Sequence, residues 1–226
     1  MSMLTQLYEP CVFDNLKSRY ITDFIYTTSG KFLMVVNPYR DLKITGPEII
    51  QAYAQTPASE QPPHIYQIAM LAYNQMQASG GLSQSILCTG ESGAGKTENC
   101  KSALRCLTWL SEQSSQSSSN ANSNELGSLE KRIMDANIIL ESFGNAKTTK
   151  NDNSSRFGKF TQISYDSSGQ IITSKISTFL LEKSRVTSQA HEERNFHIFY
   201  MICEGLSPQV KCTFYDFIFF EFFCRL

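Results

Sequence analysis

QSILCT, residues 84–89, leads directly into GESGAGKT, residues 90–97, and a helix-compatible run follows. A β-compatible segment, a glycine-rich loop and a helix in this order are typical of a Walker A phosphate loop. Glycines at 90, 93 and 95 leave room for backbone N–H groups to approach phosphate oxygens, and the following helix directs its positive end at the same place. The alternative is a glycine turn that merely joins a strand to a helix.

Lys96 and Thr97 complete the chemistry of this loop. A lysine at this position reaches the β- and γ-phosphates of a nucleotide, and a hydroxyl at the next position ligates Mg²⁺. The pattern therefore predicts Mg²⁺ and a nucleoside triphosphate as ligands. The predicted fold class is α/β, with a P-loop NTPase-type central mixed sheet flanked by helices.

Composition narrows the class of protein only a little. The chain has 226 residues, a formal net charge of −1 and 18% charged residues, which argues against bulk electrostatic attraction to nucleic acid or to an anionic membrane. No apolar run of about 18 residues predicts a membrane span, and the first ten residues lack the pattern of a secretory leader. The cysteines form no C-x-x-C pair, so we predict reduced thiols in a cytosolic protein.

Periodicity and turn residues predict the secondary structure. The predicted strands cover residues 31–36, 84–89, 160–165 and 170–174, and the predicted helices cover residues 46–55, 64–78, 97–110, 129–140 and 192–205. His64 is expected to be a structural histidine, and Trp109 a core residue. The Ser/Asn-rich residues 111–128 predict a flexible surface loop, and residues 166–169 predict a hairpin turn.

Polar residues concentrate a second time in NAKTTKNDNSSRFGKF, residues 145–160. The stretch offers many oxygen atoms for a metal and several donors for phosphate. Ser154 or Ser155 can complete Mg²⁺ coordination, and Arg156 can hold a mobile loop through a salt bridge. A solvated loop with a serine pair is the alternative interpretation.

Several strings in this chain, taken together, resemble the front part of a myosin motor head. In chain order they are NPYR (37–40), PPHIY (62–66), GESGAGKTENCK (90–101), FGNAKTTKNDNSSRFGKF (143–160), LLEKSRV (180–186) and ERNFHIFY (193–200). The resemblance covers nearly all of residues 4–208. It implies that residues 1–208 form part of a motor domain, with the phosphate loop at 90–97 and a nucleotide-sensing loop, switch I, at 145–158. Residues 209–226 form an atypical Phe-rich tail.

The resemblance also implies a role for each matching residue. The turn beside the adenine consists of Asn37, Pro38, Tyr39 and Arg40. The residues implied around the phosphates are Gly90, Glu91, Ser92, Gly93, Ala94, Gly95, Lys96 and Thr97, with Asn151 and Asn153 from switch I. Thr97 and Ser155 are the implied Mg²⁺ ligands, and the implied catalytic residues are Lys96, Ser154 near the attacking water, and Arg156. Arg156 is expected to pair with a glutamate of a further loop, switch II.

The implied function is that of an ATP-hydrolysing motor that moves on actin filaments in the cytoplasm, with light chains as partners of the full-length motor. Two departures bear on it. Lys43 and Thr45 stand where the family usually has proline and tyrosine, which should weaken base binding more than phosphate binding. Switch II, the main actin-binding surfaces and the lever lie beyond the end of this sequence, so we expect nucleotide binding but doubtful turnover. A stand-alone nucleotide-binding module and an inactive truncated product are the alternatives.

Overall fold

The computed structural model describes residues 8–57, 59–116, 123–207 and 209–210. Its helices are α1 (Glu9–Ile21), α2 (Pro47–Gln55), α3 (Ile65–Ala78), α4 (Lys96–Gln116), α5 (Ser123–Gly144) and α6 (His197–Gly205). Its strands are β1 (Tyr26–Ser29), β2 (Phe32–Val35), β3 (Asn145–Ala146), β4 (Ser154–Ser155), β5 (Gly158–Tyr165) and β6 (Ile171–Phe179), and a 3₁₀ turn covers Lys183–Val186. The predicted Phe-rich tail lies almost entirely outside the described residues.

The described strands pair two by two, as β1 with β2, β3 with β4, and β5 with β6. The central mixed sheet therefore stays a prediction. The strand predicted over residues 84–89 was wrong, because this segment is irregular and Leu87 is 88% exposed. Apolar composition alone does not make a strand, since a strand needs a neighbour to receive its backbone hydrogen bonds, and none of the described strands pairs with this segment.

The chain divides into two compact units. The first contains residues 1–134 and 161–176, and the second contains residues 135–160 and 177–226. Helix α5 and the hairpin of β5 and β6 each contribute residues to both units. Within the part of the chain that the structure describes, no helix is both long enough and apolar enough to cross a membrane.

The core of the first unit lies where α2, α3 and α4 pack together. Its buried side chains are Ile25, Tyr26, Ile50, Ile65, Tyr66, Ala69, Met70, Ala103 and Cys106. The helices predicted at 46–55 and 64–78 are confirmed, because their apolar residues recur on one face. Trp109 packs against this cluster, as predicted.

Helix α4 continues well beyond its predicted end. The prediction of an irregular loop over residues 111–128 was wrong for the residues that belong to α4 and α5, and residues 117–122 lie outside the described part. Ser111 is fully buried, and its hydroxyl accepts a 2.8 Å hydrogen bond from the backbone N–H of Ile171. Ser114 lies 2.9 Å from the Tyr73 hydroxyl. Tertiary hydrogen bonds thus stabilise the end of α4, although its polar residues have a slightly unfavourable helix propensity.

The second unit contains the hairpin of β3 and β4 and the short helix α6. Helix α6 begins at His197 rather than at the predicted residue 192. Phe196 is buried, as expected of the predicted apolar face, but Phe199, Tyr200 and Cys203 are exposed, so that part of the prediction was wrong. The chain before α6 is irregular, and Glu193 in this segment forms an ion pair with Arg185.

Candidate functional site

The phosphate loop adopts the backbone that its glycines allow. Gly90, Gly93 and Gly95 have φ angles of +146°, +80° and +91°, which other residues rarely adopt. A Cβ atom on Gly90 would also lie 3.3 Å from the Cβ of Ala94. A substitution at Gly90 would therefore both strain the backbone and crowd the neighbouring Ala94.

Lys96 is the first residue of α4 and folds back over the loop. Its ammonium group donates hydrogen bonds of 2.7 Å to the carbonyl oxygens of both Gly90 and Glu91. A full positive charge therefore lies at the amino end of a long helix, where free backbone N–H groups also favour anions. Thr97 follows in the first turn of α4, and both Glu91 and Ser92 are exposed at the turn of the loop.

The NPYR turn contacts the phosphate loop although 56 residues separate the two groups that meet. The side-chain amide of Asn37 donates a 2.6 Å hydrogen bond to the carbonyl oxygen of Gly93. The amide oxygen of Asn37 accepts from the backbone N–H of Tyr39 at 3.0 Å, which shapes the turn that contains Pro38. The structure therefore brings together two segments that the sequence analysis singled out separately.

The tip of this turn is open to solvent. Tyr39 is 78% exposed and has a φ angle of +51°, and the guanidinium of Arg40 forms an exposed ion pair with Asp23. Both residues belong to the turn that the Asn37 side chain joins to the phosphate loop. Neither side chain packs into the core of the first unit.

Asn99, which the sequence analysis did not select, holds the end of the phosphate loop from within α4. Its amide donates to the carbonyl oxygen of Gly95 at 3.0 Å, and its amide oxygen accepts from the Tyr26 hydroxyl at 3.0 Å. The only available signal was its place one turn into the helix that follows the lysine.

The predicted switch I residues lie in the second unit, on and between β3 and β4. The antiparallel register places Asn145 opposite Ser155 and Ala146 opposite Ser154. The amide oxygen of Asn151 accepts from the backbone N–H of Asn153 at 3.0 Å. Hydrogen bonds within the connecting loop thus fix its shape.

Asn153 connects this loop to its surroundings. Its amide oxygen accepts a 2.9 Å hydrogen bond from the side chain of Asn145 and lies 3.1 Å from Nε2 of His197. The two serines of β4 differ in exposure because successive residues of a strand face opposite sides. Ser154 is 1% exposed, whereas the side chain of Ser155 is open to solvent.

Arg156 has a carboxylate partner that the sequence analysis did not identify. The resemblance predicted a glutamate of switch II, but in the structure Arg156 donates to both oxygens of Glu182, from Nε at 2.6 Å and from Nη2 at 3.1 Å. Its Nη1 donates to the Ser154 hydroxyl at 3.2 Å. The guanidinium therefore links β4 to the segment after β6.

Glu182 also holds a second arginine. Arg185 is buried and donates to Glu182 at 2.6 Å and to Glu193 at 2.7 Å. Hydrogen bonds from Arg156 and Arg185 lower the pKa of the Glu182 carboxyl from 4.5 to about 2. The LLEKSRV string contained both Glu182 and Arg185, but nothing in its local pattern indicated their partners.

The structure thus gathers the predicted residues into two groups. The phosphate loop and the NPYR turn belong to the first unit, and the switch I residues belong to the second. Among the described residues, no cluster of three or more His, Cys, Asp or Glu side chains is arranged to hold a metal ion. The candidate metal ligands remain the hydroxyl groups of Thr97 and Ser155.

The chain was compared with models of known protein families. The family model described as the myosin head (motor domain) matches residues 1–217 of this 226-residue chain. The matched region includes every residue of both groups. It also includes all of the strings on which the resemblance rests.

Proposed function

The chain belongs to the myosin head (motor domain) family, and we propose that it binds Mg·ATP as the nucleotide-binding part of an actin-based motor. The observation that carries this proposal is the phosphate loop itself. Its glycines hold a backbone of positive φ, and the ammonium group of Lys96 lies against the loop carbonyls. The same features are those that phosphate recognition requires.

Binding of phosphate to the loop should change the hydrogen-bond acceptors of Lys96. Its present acceptors, the carbonyl oxygens of Gly90 and Glu91, are neutral. Phosphate oxygens are anionic, so Coulomb attraction between opposite charges adds to the hydrogen bonds that the ammonium group donates to them. We therefore expect the ammonium group to leave the loop carbonyls for the β- and γ-phosphates.

The donor set suits Mg²⁺. Thr97 and Ser155 offer hydroxyl oxygens, and Mg²⁺ prefers hard oxygen ligands that include substrate phosphates. When bound, the ion neutralises charge on the β- and γ-phosphate oxygens. The protein would supply these two hydroxyl groups to the ion. Asn151 and Asn153 would donate hydrogen bonds from their side-chain amides to phosphate.

Hydrolysis is proposed to depend on Ser154 and Arg156. The buried Ser154 hydroxyl, which Arg156 holds at 3.2 Å, would orient the attacking water. Glu182 positions Arg156 through two hydrogen bonds. Movement on actin filaments, association with light chains and a place at the cytoplasmic actin cytoskeleton are proposed for the full-length motor.

Recognition of the base is proposed to be weaker than recognition of the phosphates. Tyr39 and Arg40 belong to the turn that Asn37 ties to the loop, but both are exposed. Thr45 supplies no aromatic ring where the family usually has one. Most of the binding energy should therefore come from the phosphates and Mg²⁺.

Thermal unfolding of the full chain with and without millimolar Mg·ADP tests the proposal. A ligand at one hundred times its Kd stabilises the native state by about 2.7 kcal/mol, which raises the Tm of a chain of this length by several degrees. Lys96→Ala should abolish most of this shift. Lys101→Ala, which removes a lysine from the next turn of α4, is the matched control and should retain it.

Two results would contradict the proposal. The first is an unchanged Tm of the unmodified chain in millimolar Mg·ADP. The second is an equal loss in the Lys96 and Lys101 variants. Co-sedimentation with actin, with and without ATP, separates a motor fragment from a nucleotide-binding module that needs no actin, because only the motor fragment should pellet in an ATP-sensitive manner.

A further inference from the structure

The side-chain amide of Asn153, which is proposed to donate to phosphate, has its oxygen engaged by two neighbours. The Asn145 amide donates to this oxygen at 2.9 Å, and Nε2 of His197 lies 3.1 Å from it. All three residues belong to the second unit. In the described part of the chain, no hydrogen bond occupies the amide nitrogen of Asn153.

The other asparagine of this loop is arranged differently. The amide oxygen of Asn151 accepts from the backbone N–H of Asn153 at 3.0 Å, and its amide nitrogen donates to the Asn153 carbonyl oxygen at 3.4 Å. Both ends of the Asn151 amide are therefore in use within the loop, whereas Asn153 keeps two N–H groups for an external acceptor.

The orientation of the Asn153 amide decides whether it can bind an anion. A half-turn of an amide exchanges its oxygen and nitrogen, and only one of the two orientations offers N–H groups to phosphate. An imidazole with its proton on Nε2 donates, so the amide atom beside it must be the oxygen. With the proton on Nδ1 instead, Nε2 would accept, and the amide nitrogen would turn toward His197.

Backbone contacts hold His197 in place beside the loop. Phe196 forms an antiparallel bridge with Ala146 of β3, and its side chain is 3% exposed. The backbone N–H of Arg194 donates to the Lys147 carbonyl oxygen at 3.0 Å. His197 follows directly as the first residue of α6, so its imidazole reaches a loop that lies 44 residues earlier in the chain.

We propose that His197 is a positioning residue for phosphate binding. With its proton on Nε2 it donates to the Asn153 amide oxygen, which leaves both N–H groups of that amide for a phosphate oxygen. His197 acts through Asn153 rather than on the nucleotide itself. This role rests on the proposed function, because it requires a nucleotide phosphate at switch I.

Nitrogen-15 NMR of the full chain with labelled histidines tests the tautomer without any nucleotide. The shifts of the two ring nitrogens differ according to which one carries the proton, and the chain has three histidines. At a pH where imidazoles are neutral, His197 should carry its proton on Nε2. His64 is an internal reference for this tautomer, because its Nδ1 accepts from the backbone N–H of Tyr66.

The His197→Gln variant assigns the signal, because it removes the ring nitrogens of His197 alone. A proton on Nδ1 of His197, or an average of both tautomers, would overturn the inference. In either case the imidazole would not hold the amide oxygen of Asn153.

Calorimetric titration with Mg·AMP-PNP, a non-hydrolysable analogue of ATP, tests the role in binding. His197→Leu removes the donor and should raise the Kd roughly fivefold, which corresponds to the loss of one neutral hydrogen bond. His197→Gln keeps an N–H donor at similar reach and should restore most of the affinity. His191→Leu, at an exposed histidine of the same unit, is the matched control and should bind like the unmodified chain.

Asn153→Asp separates the phosphate contact from the positioning contacts. Its carboxylate can still accept from Asn145 and His197 but has no N–H group to donate, and its charge repels phosphate. This variant should therefore keep the free energy of unfolding of the unmodified chain, yet bind Mg·AMP-PNP more weakly than His197→Leu does.

The failures of the inference and of the proposed function are distinct. Equal Kd values for the unmodified chain and His197→Leu would overturn the positioning role and leave the proposed function standing. An equal loss in His197→Leu and His197→Gln would also overturn that role, since packing rather than hydrogen-bond donation would then explain the loss. An unmodified chain that binds no nucleotide would contradict the proposed function and, with it, the role of His197.

Discussion

At the scale of single residues, Asn37 contributes a contact that no local pattern could predict. Its side chain both shapes its own turn, through Tyr39, and holds the phosphate loop, through the carbonyl oxygen of Gly93. An Asn-Pro step is ordinarily a simple turn. Here the turn is the support of a loop that lies far away in the sequence.

Replacement of Asn37 should destabilise the first unit. Asn37→Ala removes the 2.6 Å hydrogen bond to Gly93 and the one from Tyr39, and each such bond contributes about 1 kcal/mol. We expect urea unfolding, followed through the fluorescence of Trp109, to show a loss of about 1–2 kcal/mol. The Mg·ADP-induced rise in Tm should shrink as well.

Asn37→Asp separates the two hydrogen bonds. The carboxylate can still accept from the backbone N–H of Tyr39 but cannot donate to the carbonyl oxygen of Gly93. Its negative charge would also face the Gly93 carbonyl oxygen with no proton between them, so the aspartate variant should lose stability although it keeps the bond from Tyr39. If the aspartate variant matched the unmodified chain, the contact with Gly93 would contribute nothing.

Glu182 is the residue on which two arginines depend. Glu182→Gln would leave the buried Arg185 and the half-buried Arg156 with a neutral partner, and we expect a loss of about 1–3 kcal/mol at pH 7. Because the folded-state pKa of Glu182 is about 2 and the ordinary value is 4.5, the stabilisation is complete above pH 4.5 and disappears as the pH falls to 2.

The measurement is urea unfolding of both chains from pH 7 to pH 2. The difference in the free energy of unfolding should be constant above pH 5 and should narrow between pH 4.5 and pH 2. Glu192→Gln, at an exposed position of the same segment, should show no such difference. A gap that persists unchanged at pH 2 would contradict the assignment to the Glu182 carboxylate.

At the scale of elements, the sequence predicted what local periodicity and turn chemistry determine. Helices α2 and α3 follow from apolar residues on one face, and the turn between β5 and β6 follows from a glycine at 169 with a φ angle of +85°. The glycines and Lys96 of the phosphate loop were likewise predictable, because their chemistry is local in sequence.

What the sequence missed depends on distant partners. Residues 84–89 have strand-like composition, yet they pair with no described strand. Helix α4 continues through the polar residue Ser111, whose buried hydroxyl accepts a hydrogen bond from the backbone N–H of Ile171. Glu182 likewise lies 26 residues from Arg156, which is a distance over which a charge pattern in one sequence indicates no pairing.

Two hairpin glycines allow a matched test of close packing. Gly30, between β1 and β2, and Gly169, between β5 and β6, both have positive φ angles. A Cβ atom at residue 30 would meet nothing within 4 Å, whereas one at residue 169 would lie 2.2 Å from the Tyr73 hydroxyl and 2.4 Å from the side-chain nitrogen of Gln77. The two positions therefore share backbone strain and differ in crowding.

Gly169→Ala should be the more harmful substitution. The unfavourable φ angle alone costs roughly 1–2 kcal/mol at either position. Overpacking adds typically 1–3 kcal/mol at residue 169, where the hydrogen bond from Tyr73 to the Gly169 carbonyl oxygen is also disturbed. Urea unfolding of both variants measures the difference, and equal losses would show that Tyr73 moves aside without cost.

At the scale of the whole molecule, the two units carry different buried ionisable groups. The first unit contains His64, which is buried, accepts from the backbone N–H of Tyr66 through Nδ1 and lies 3.1 Å from the Ile44 carbonyl oxygen through Nε2. The prediction of a structural histidine is thus confirmed. The second unit contains the ion pairs of Glu182 and Arg185.

Acid should therefore weaken the first unit at a higher pH than it weakens the contacts of Glu182. Burial lowers the pKa of His64 from 6.5 to about 4. Between these pH values, His64 is protonated in the unfolded chain but neutral in the folded chain. The free energy of unfolding is therefore highest above pH 6.5 and falls as the pH is lowered to 4. The other two histidines, at 191 and 197, belong to the second unit, so this window is specific to His64 within the first.

Trp109, the single tryptophan of the chain, packs against the core of the first unit and reports on it selectively. Urea unfolding followed by its fluorescence should show a free energy of unfolding that falls by a few kcal/mol at most from pH 7 to pH 4. His64→Gln retains a donor and an acceptor but cannot be protonated, so its profile should be nearly flat over this range. If the two profiles fell in parallel, the acid sensitivity of the first unit would lie in its carboxylates rather than in this buried imidazole.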